Sequence, residues 1–159
     1  MDSRMRLLVV GALALVSGAA AFGQAGSGAG TAPAVKWGPA PPFFPAGARF
    51  AVLEGDPSGT GVYTVRLEMP AGYVIKPHWH PTDECITVLS GRFLVGMGDS
   101  VDLKQAMALG QDGFATAPAQ AHHFAVAARK TVVQVHGLGP FAITYVRPTD
   151  DPRGTTASQ

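Results

Sequence analysis

Residues 72–91 read GYVIKPHWHPTDECITVLSG, and the fold turns on how this stretch is read. Apolar residues open and close it, with a Pro-Thr-Asp break at 81–83 in the middle. The spacing predicts one strand over 73–80, a tight reversal, and a second strand from residue 85. His78 and His80 stand two apart on the first strand, so both imidazoles leave the same face. The reversal brings Glu84 back beside them. Two imidazoles and a carboxylate make a ligand set for one divalent transition metal: iron, manganese, nickel, copper or zinc rather than calcium or magnesium.

Outward from this stretch the pattern stays short and strand-like. Residues 62–69 (VYTVRLEM) alternate, with Tyr63, Val65, Leu67 and Met69 on one face and Thr64, Arg66 and Glu68 on the other. Further strands are expected over 93–97, 114–118, 124–127, 131–136 and 141–146. Turn residues separate them at Pro70-Ala71-Gly72, Ser90-Gly91, Gly98-Asp99-Ser100 and Gly137-Leu138-Gly139-Pro140. Only residues 101–109 have helical character. The expected fold class is therefore all-β, an antiparallel sandwich or small barrel. A fourth metal donor is offered by Ala121-His122-His123-Phe124, and alternation lets only one of the two histidines face inward. Spacing alone does not choose between them.

The stretch resembles the first motif of the cupin superfamily, G-x5-H-x-H-x3-E-x6-G. Gly72, His78, His80, Glu84 and Gly91 meet every defined position. The second motif, G-x5-P-x-G-x2-H-x3-N, is matched at Pro118 and His123, which selects His123 as the ligand. Gln120 stands in place of its inner glycine, Ala127 in place of its asparagine, and Gly113 is one residue too near the proline. The resemblance covers roughly residues 50–147. Shorter runs (GDPS, MPAGY, HWHPTDE, VLSG, MGD, HHFA) are also similar to a branch of small exported cupins. The resemblance implies an antiparallel jelly-roll barrel with the metal inside, held by His78, His80, Glu84 and His123, in a chain that often forms dimers.

The ends of the chain read differently. Arg4 and Arg6 precede an apolar run over 7–16 and small residues over 17–21, and Ala19-Ala20-Ala21 with a weaker Gly23-Gln24-Ala25 predicts a signal peptide over 1–21 with cleavage near 21 or 25. Ten apolar residues reach only about half way across a hydrocarbon core, so no membrane anchor is expected after cleavage. A periplasmic or secreted protein follows. Residues 22–48 form a Gly, Ala and Pro-rich leader, and its segment 36–45 (KWGPAPPFFP) carries aromatics that should dock on the domain or on a partner subunit. The barrel is expected over 49–147 and a frayed polar tail over 148–159. Without Arg4, Arg6 and Asp2, ten basic and ten acidic side chains remain of the 12 and 11 in the whole chain. With no basic stripe, nucleic acid is not an expected partner. Cys85 is the one cysteine, so no internal disulfide can form.

Two classes of function fit these residues. In the first the chain is a small-molecule metalloenzyme, a dioxygenase with iron, copper or nickel, or an isomerase or lyase with manganese or zinc, with Glu84 as a general base. In the second it is a non-catalytic module that holds a metal and a small ligand. Pocket polarity separates them. Gln134 and His136 share one strand face, inward or outward; facing inward, they would give an enzyme's polar lining. A dry wall of Tyr63, Leu67, Phe93 and Val95 would instead favour an apolar ligand.

Overall fold

The computed structural model describes residues 34–154. The expected signal peptide, the leader up to 33 and the last five residues of the tail lie outside that range. Eleven strands follow one another: β1 Gly38–Pro39, β2 Arg49–Glu54, β3 Val62–Met69, β4 Tyr73–Trp79, β5 Glu84–Ser90, β6 Phe93–Met97, β7 Met107–Leu109, β8 Phe114–Ala117, β9 His123–Ala127, β10 Thr131–Leu138 and β11 Thr144–Tyr145. They pair into two antiparallel sheets, β1-β2-β3-β10-β5-β8 and β11-β4-β9-β6-β7. The all-β jelly-roll expectation is met.

Sequence alternation becomes alternation of burial. On β3, Tyr63, Val65, Leu67 and Met69 are buried between the sheets, and β10 opposes them with Thr131, Val133 and Val135. Inward side chains of both sheets form one hydrophobic core, which Phe44, Phe141 and Ile143 complete from outside the regular ladders. Gly72 and Gly91, the outer glycines of the first motif, close turns at φ of 79° and 91°. Such angles favour glycine. A Cβ at Gly91 would also sit 2.3 Å from the Lys130 carbonyl oxygen.

β4 holds an irregularity that decides where the site lies. Tyr73 and Ile75 point into the core, and so does His78, although strict alternation would send position 78 the other way. The register against β9 shifts between Ile75 and His78. Pro77 lies inside that shift and has no N–H to lose from the ladder, so the parity change comes cheaply there.

Three regions differ from the sequence reading. Residues 101–109 form no α-helix. Asp102 accepts hydrogen bonds from the Lys104 and Gln105 N–H groups, and the chain then enters β7 against β6. Nine residues are too few for a self-supporting helix, and an Asp near its start favours a turn. The strand expected over 141–146 shrinks to β11, because Phe141 and Ile143 turn into the core. At the C-terminus, Pro148–Asp150 forms a 3-10 turn, and the Arg153 guanidinium donates to the Asp151 carboxylate and the Ile143 carbonyl.

The segment 36–45 docks on its own barrel. β1 pairs with β2 and Trp37 lies 5.6 Å from the Arg49 guanidinium. Phe44 donates its amide to Pro41 O in a turn, and its ring enters the core. The hydroxyls of Tyr73 and Tyr145 donate to the carbonyls of Pro45 and Phe43.

Candidate metal centre

The stretch 78–84 carries the chain from one sheet to the other. His78 lies one residue before the end of β4, His80 follows the strand, Pro81–Asp83 cross the gap, and Glu84 opens β5 in the opposite sheet. Thr82 Oγ1 donates to Leu138 O and Asp83 Oδ1 accepts from Ala119 N, which pins the crossing at both ends. His123 opens β9 directly across from His78. Its position depends on the turn Pro118–Ala121, closed by Ala121 N donating to Pro118 O, and on Gln120 N donating to His80 O.

Four side chains converge. One ligand atom from each of His78, His80 and His123 lies within 4.8 Å of the others. Glu84 Oε2 stands 3.3 Å from His80 Nε2 and 3.6 Å from His123 Nε2. All four residues are buried. The tautomers follow from the second nitrogen of each ring. Nδ1 of His78, His80 and His123 lies 2.7, 2.8 and 2.9 Å from the carbonyl oxygens of Lys76, Ala142 and Ala121. A carbonyl only accepts, so each Nδ1 carries the hydrogen, and it is the Nε2 of each ring that faces the centre, where its lone pair would serve a metal.

Electrostatics tell the same story. Burial pushes His78 down to about 3, helped by the neighbouring His123 and His80 rings, so it stays neutral. Burial also opposes charge on Glu84, but the imidazoles of His80 and His123 outweigh it and hold the carboxyl well below its usual range. For His80, burial is again the largest influence, and the Glu84 carboxylate overcomes it and raises the pKa. The buried Nε2 atoms of His80 and His123 have no hydrogen-bond partner. Two buried ring nitrogens without a partner, beside a carboxylate, fit a divalent cation of the transition series.

The cavity against these donors is small and largely apolar. It encloses ≈ 20 Å³, room for about one water-sized group. Val65, Leu67, Ile86, Val133 and Val135 wall it from one sheet, and Ile75, Phe93 and Ala125 from the other. Phe44, Phe50, Phe141 and Ile143 close it, with the Phe141 ring stacked on His80 at 5.6 Å between centroids.

The other residues singled out in the sequence fall outside this centre. His122 points away from its neighbour and pairs with Asp99 at 2.6 Å on the surface. Gln134 and His136 face outward, because Val133 and Val135 take the inward positions of β10. Gln134 accepts a hydrogen bond from Arg66, and His136 is exposed beside Cys85 of β5. Phe93 lines the cavity. Tyr63 does not: it is buried behind Phe141, with ring centroids 5.2 Å apart. Cys85 lies on the outer face, its sulfur 4.0 Å from Thr116 Oγ1. Sequence reasoning missed Phe44, Phe50 and Phe141 as cavity walls and the three backbone carbonyls as anchors. The Phe43-Phe44 pair was the available signal for the first of these.

A family described as the ChrR cupin-like domain matches residues 29–142. The chain belongs to this cupin-like family. Solved structures agree on the fold. The barrel superposes on a candidate acetylacetone dioxygenase from Methylibium petroleiphilum at a TM-score of 0.57 and 22% identity, covering 74% of this chain and 79% of that one. The polyketide cyclase RemF from Streptomyces resistomycificus gives 0.60 at 18% identity, covering 74% and 84%. The DMSP lyase DddQ from Ruegeria pomeroyi gives 0.57 at 18% identity, covering 72% and 62%. No curated protein matches the cupin.

Proposed function

We propose that this cupin is an exported, mononuclear metalloenzyme acting on a small molecule, with a divalent transition metal held by Nε2 of His78, His80 and His123 and by the Glu84 carboxylate. The carrying observation is the three-imidazole convergence with every Nδ1 tied to a backbone carbonyl and two Nε2 atoms left without a partner. Such a metal supplies Lewis-acid or redox chemistry to a ligand in an open position. The protein's part is orientation, exclusion of water by the apolar walls, and proton transfer at Glu84, the one carboxylate in the cavity. The similar folds are described as a dioxygenase, a cyclase and a lyase, which suits an enzyme and leaves the reaction open, since one fold hosts many chemistries.

A second reading, a non-catalytic module for a metal and an apolar ligand, is favoured by one observation. With Gln134 and His136 outside, the walls beyond the four donors carry no polar side chain. Export rests on Arg4, Arg6 and the apolar run over 7–16, and mature protein starting after residue 21 or 25 is its test. Self-association as a dimer belongs to the same proposal, and sedimentation equilibrium decides it.

Elemental analysis of the mature protein, purified without added metal, tests the centre. The expected result is about one equivalent of iron, manganese, nickel, copper or zinc, lost in His78→Ala and in His123→Ala. No metal after reconstitution would overturn the proposal. Metal retained by both variants would overturn the ligand assignment.

A further inference from the structure

The cavity has room for about one water-sized group, so something must move before a ring-sized substrate reaches the four donors. The rings around the space are not equally free to do so. Phe93 lies on β6, with ladder partners on both sides, and Phe50 lies on β2, between β1 and β3. Phe141 is joined to Pro57 through its amide, and the next residue, Ala142, provides the carbonyl that orients His80. Lifting Phe141 would loosen a metal ligand.

Phe44 differs on every count. It is carried by the strap Ala40–Pro45, which lies between β1 and β2 in no ladder. Prolines at 41, 42 and 45 leave few N–H groups to bind the barrel and stiffen the strap so that it can move as one piece. Its attachments are the Phe43 and Phe44 rings and the hydroxyls of Tyr73 and Tyr145. Of these, Tyr145 also packs its ring 6.0 Å from that of His78, but its hydroxyl is spent on the strap, so losing that bond leaves the ring contact in place.

Resting on the metal reading above, we propose that Phe44 is a specificity-determining plug. The ligand that works at this centre is an amphipathic molecule with a ring-sized apolar body and oxygen donors, and its body takes the place of the Phe44 ring as the strap lifts. The oxygen donors match a metal on His78, His80, Glu84 and His123, the polar end of a cavity whose other described walls are apolar. The body matches the rings that Phe44 leaves behind, Phe50 and Phe141, whose centroids lie 6.4 and 6.0 Å from its own.

Cobalt(II)-loaded full-length mature protein provides the test through its visible absorption spectrum, with azide and benzohydroxamate as probes. Azide is small enough to bind at similar rates in all variants. Benzohydroxamate binding to wild type should reach a limiting rate at high concentration, set by the lifting of the strap. Phe44→Ala should remove that limit. Tyr73→Phe/Tyr145→Phe, which keeps every core ring, should raise it about ten-fold, the effect of losing two hydrogen bonds on an opening equilibrium. Cobalt uptake with benzohydroxamate binding unchanged by either variant would overturn the plug and leave the metal reading standing. Failure of cobalt to bind any of the proteins would overturn both.

Discussion

Gln120→Gly should make this cupin more stable without touching its metal centre. Gln120 holds a φ of 60°, the left-handed region, at the third position of the turn Pro118–Ala121. For a residue with a Cβ that conformation costs about 1–2 kcal/mol. Glycine removes the cost but gives up about 0.5–1 kcal/mol to its freer unfolded chain. The difference favours the variant by about 0.5–1 kcal/mol. In a domain of this size that is a Tm rise of about 2–4 °C. Gln120 is exposed, and its one bond to the centre, donated to His80 O, comes from its backbone amide and survives the change. Metal stoichiometry should therefore stay constant while the melting curve moves up. Asp112, at φ 64°, is the natural control. Aspartate tolerates this region better, so Asp112→Gly should gain less. A Gln120→Gly protein that melts at or below the wild-type temperature would refute the strain argument, and loss of metal would refute the placement of the turn.

Three further outcomes are expected. Gly96→Ala would set a Cβ 2.3 Å from Cζ of the fully buried Phe124, the neighbour of His123; urea unfolding should show a loss of about 1–3 kcal/mol, and an unchanged midpoint would contradict the packing. Adding the physiological metal at about a hundred times its Kd should stabilise by about 2.7 kcal/mol, a Tm rise of about 10 °C that His78→Ala does not share. In the metal-free protein His78 titrates at about 3 against an ordinary 6.5, so the unfolded chain binds the extra proton and stability falls as pH drops through that window. His80, with its raised pKa, works the other way: its stabilisation is present below the ordinary value and lost as pH rises through the folded one. Comparing urea midpoints of wild type and His78→Gln between pH 7 and 5, above the range where Glu84 takes up protons, isolates the His78 contribution. Equal slopes would refute it.

The residues gathered at the centre were largely legible in the sequence, because spacing two on a strand and a proline-led reversal are local rules. They suffice to group His78, His80 and Glu84, though that the group faces inward rests on the register shift at Pro77. His123 needed the motif, since alternation permits either of two adjacent histidines, and the structure sends His122 to Asp99. Local rules fail where the answer lies across the barrel. Period two grouped Gln134 with His136 but could not say which face meets the core; that is settled by β3 and β5 on either side of β10. Pro77 was visible, but its parity change shows only against β9. Phe44 contacts Phe141 nearly a hundred residues later, and no window along the chain contains both.

The three carbonyls that orient the imidazoles have an evolutionary consequence. Lys76, Ala121 and Ala142 hold the rings through main-chain atoms, and a carbonyl oxygen is the same whichever side chain its residue carries. Mutation at those positions can rewrite the lettering around the centre while the direction of each lone pair is inherited with the backbone. Divergence can then change walls and strap one residue at a time, with the setting of the three imidazoles left as a fixed point.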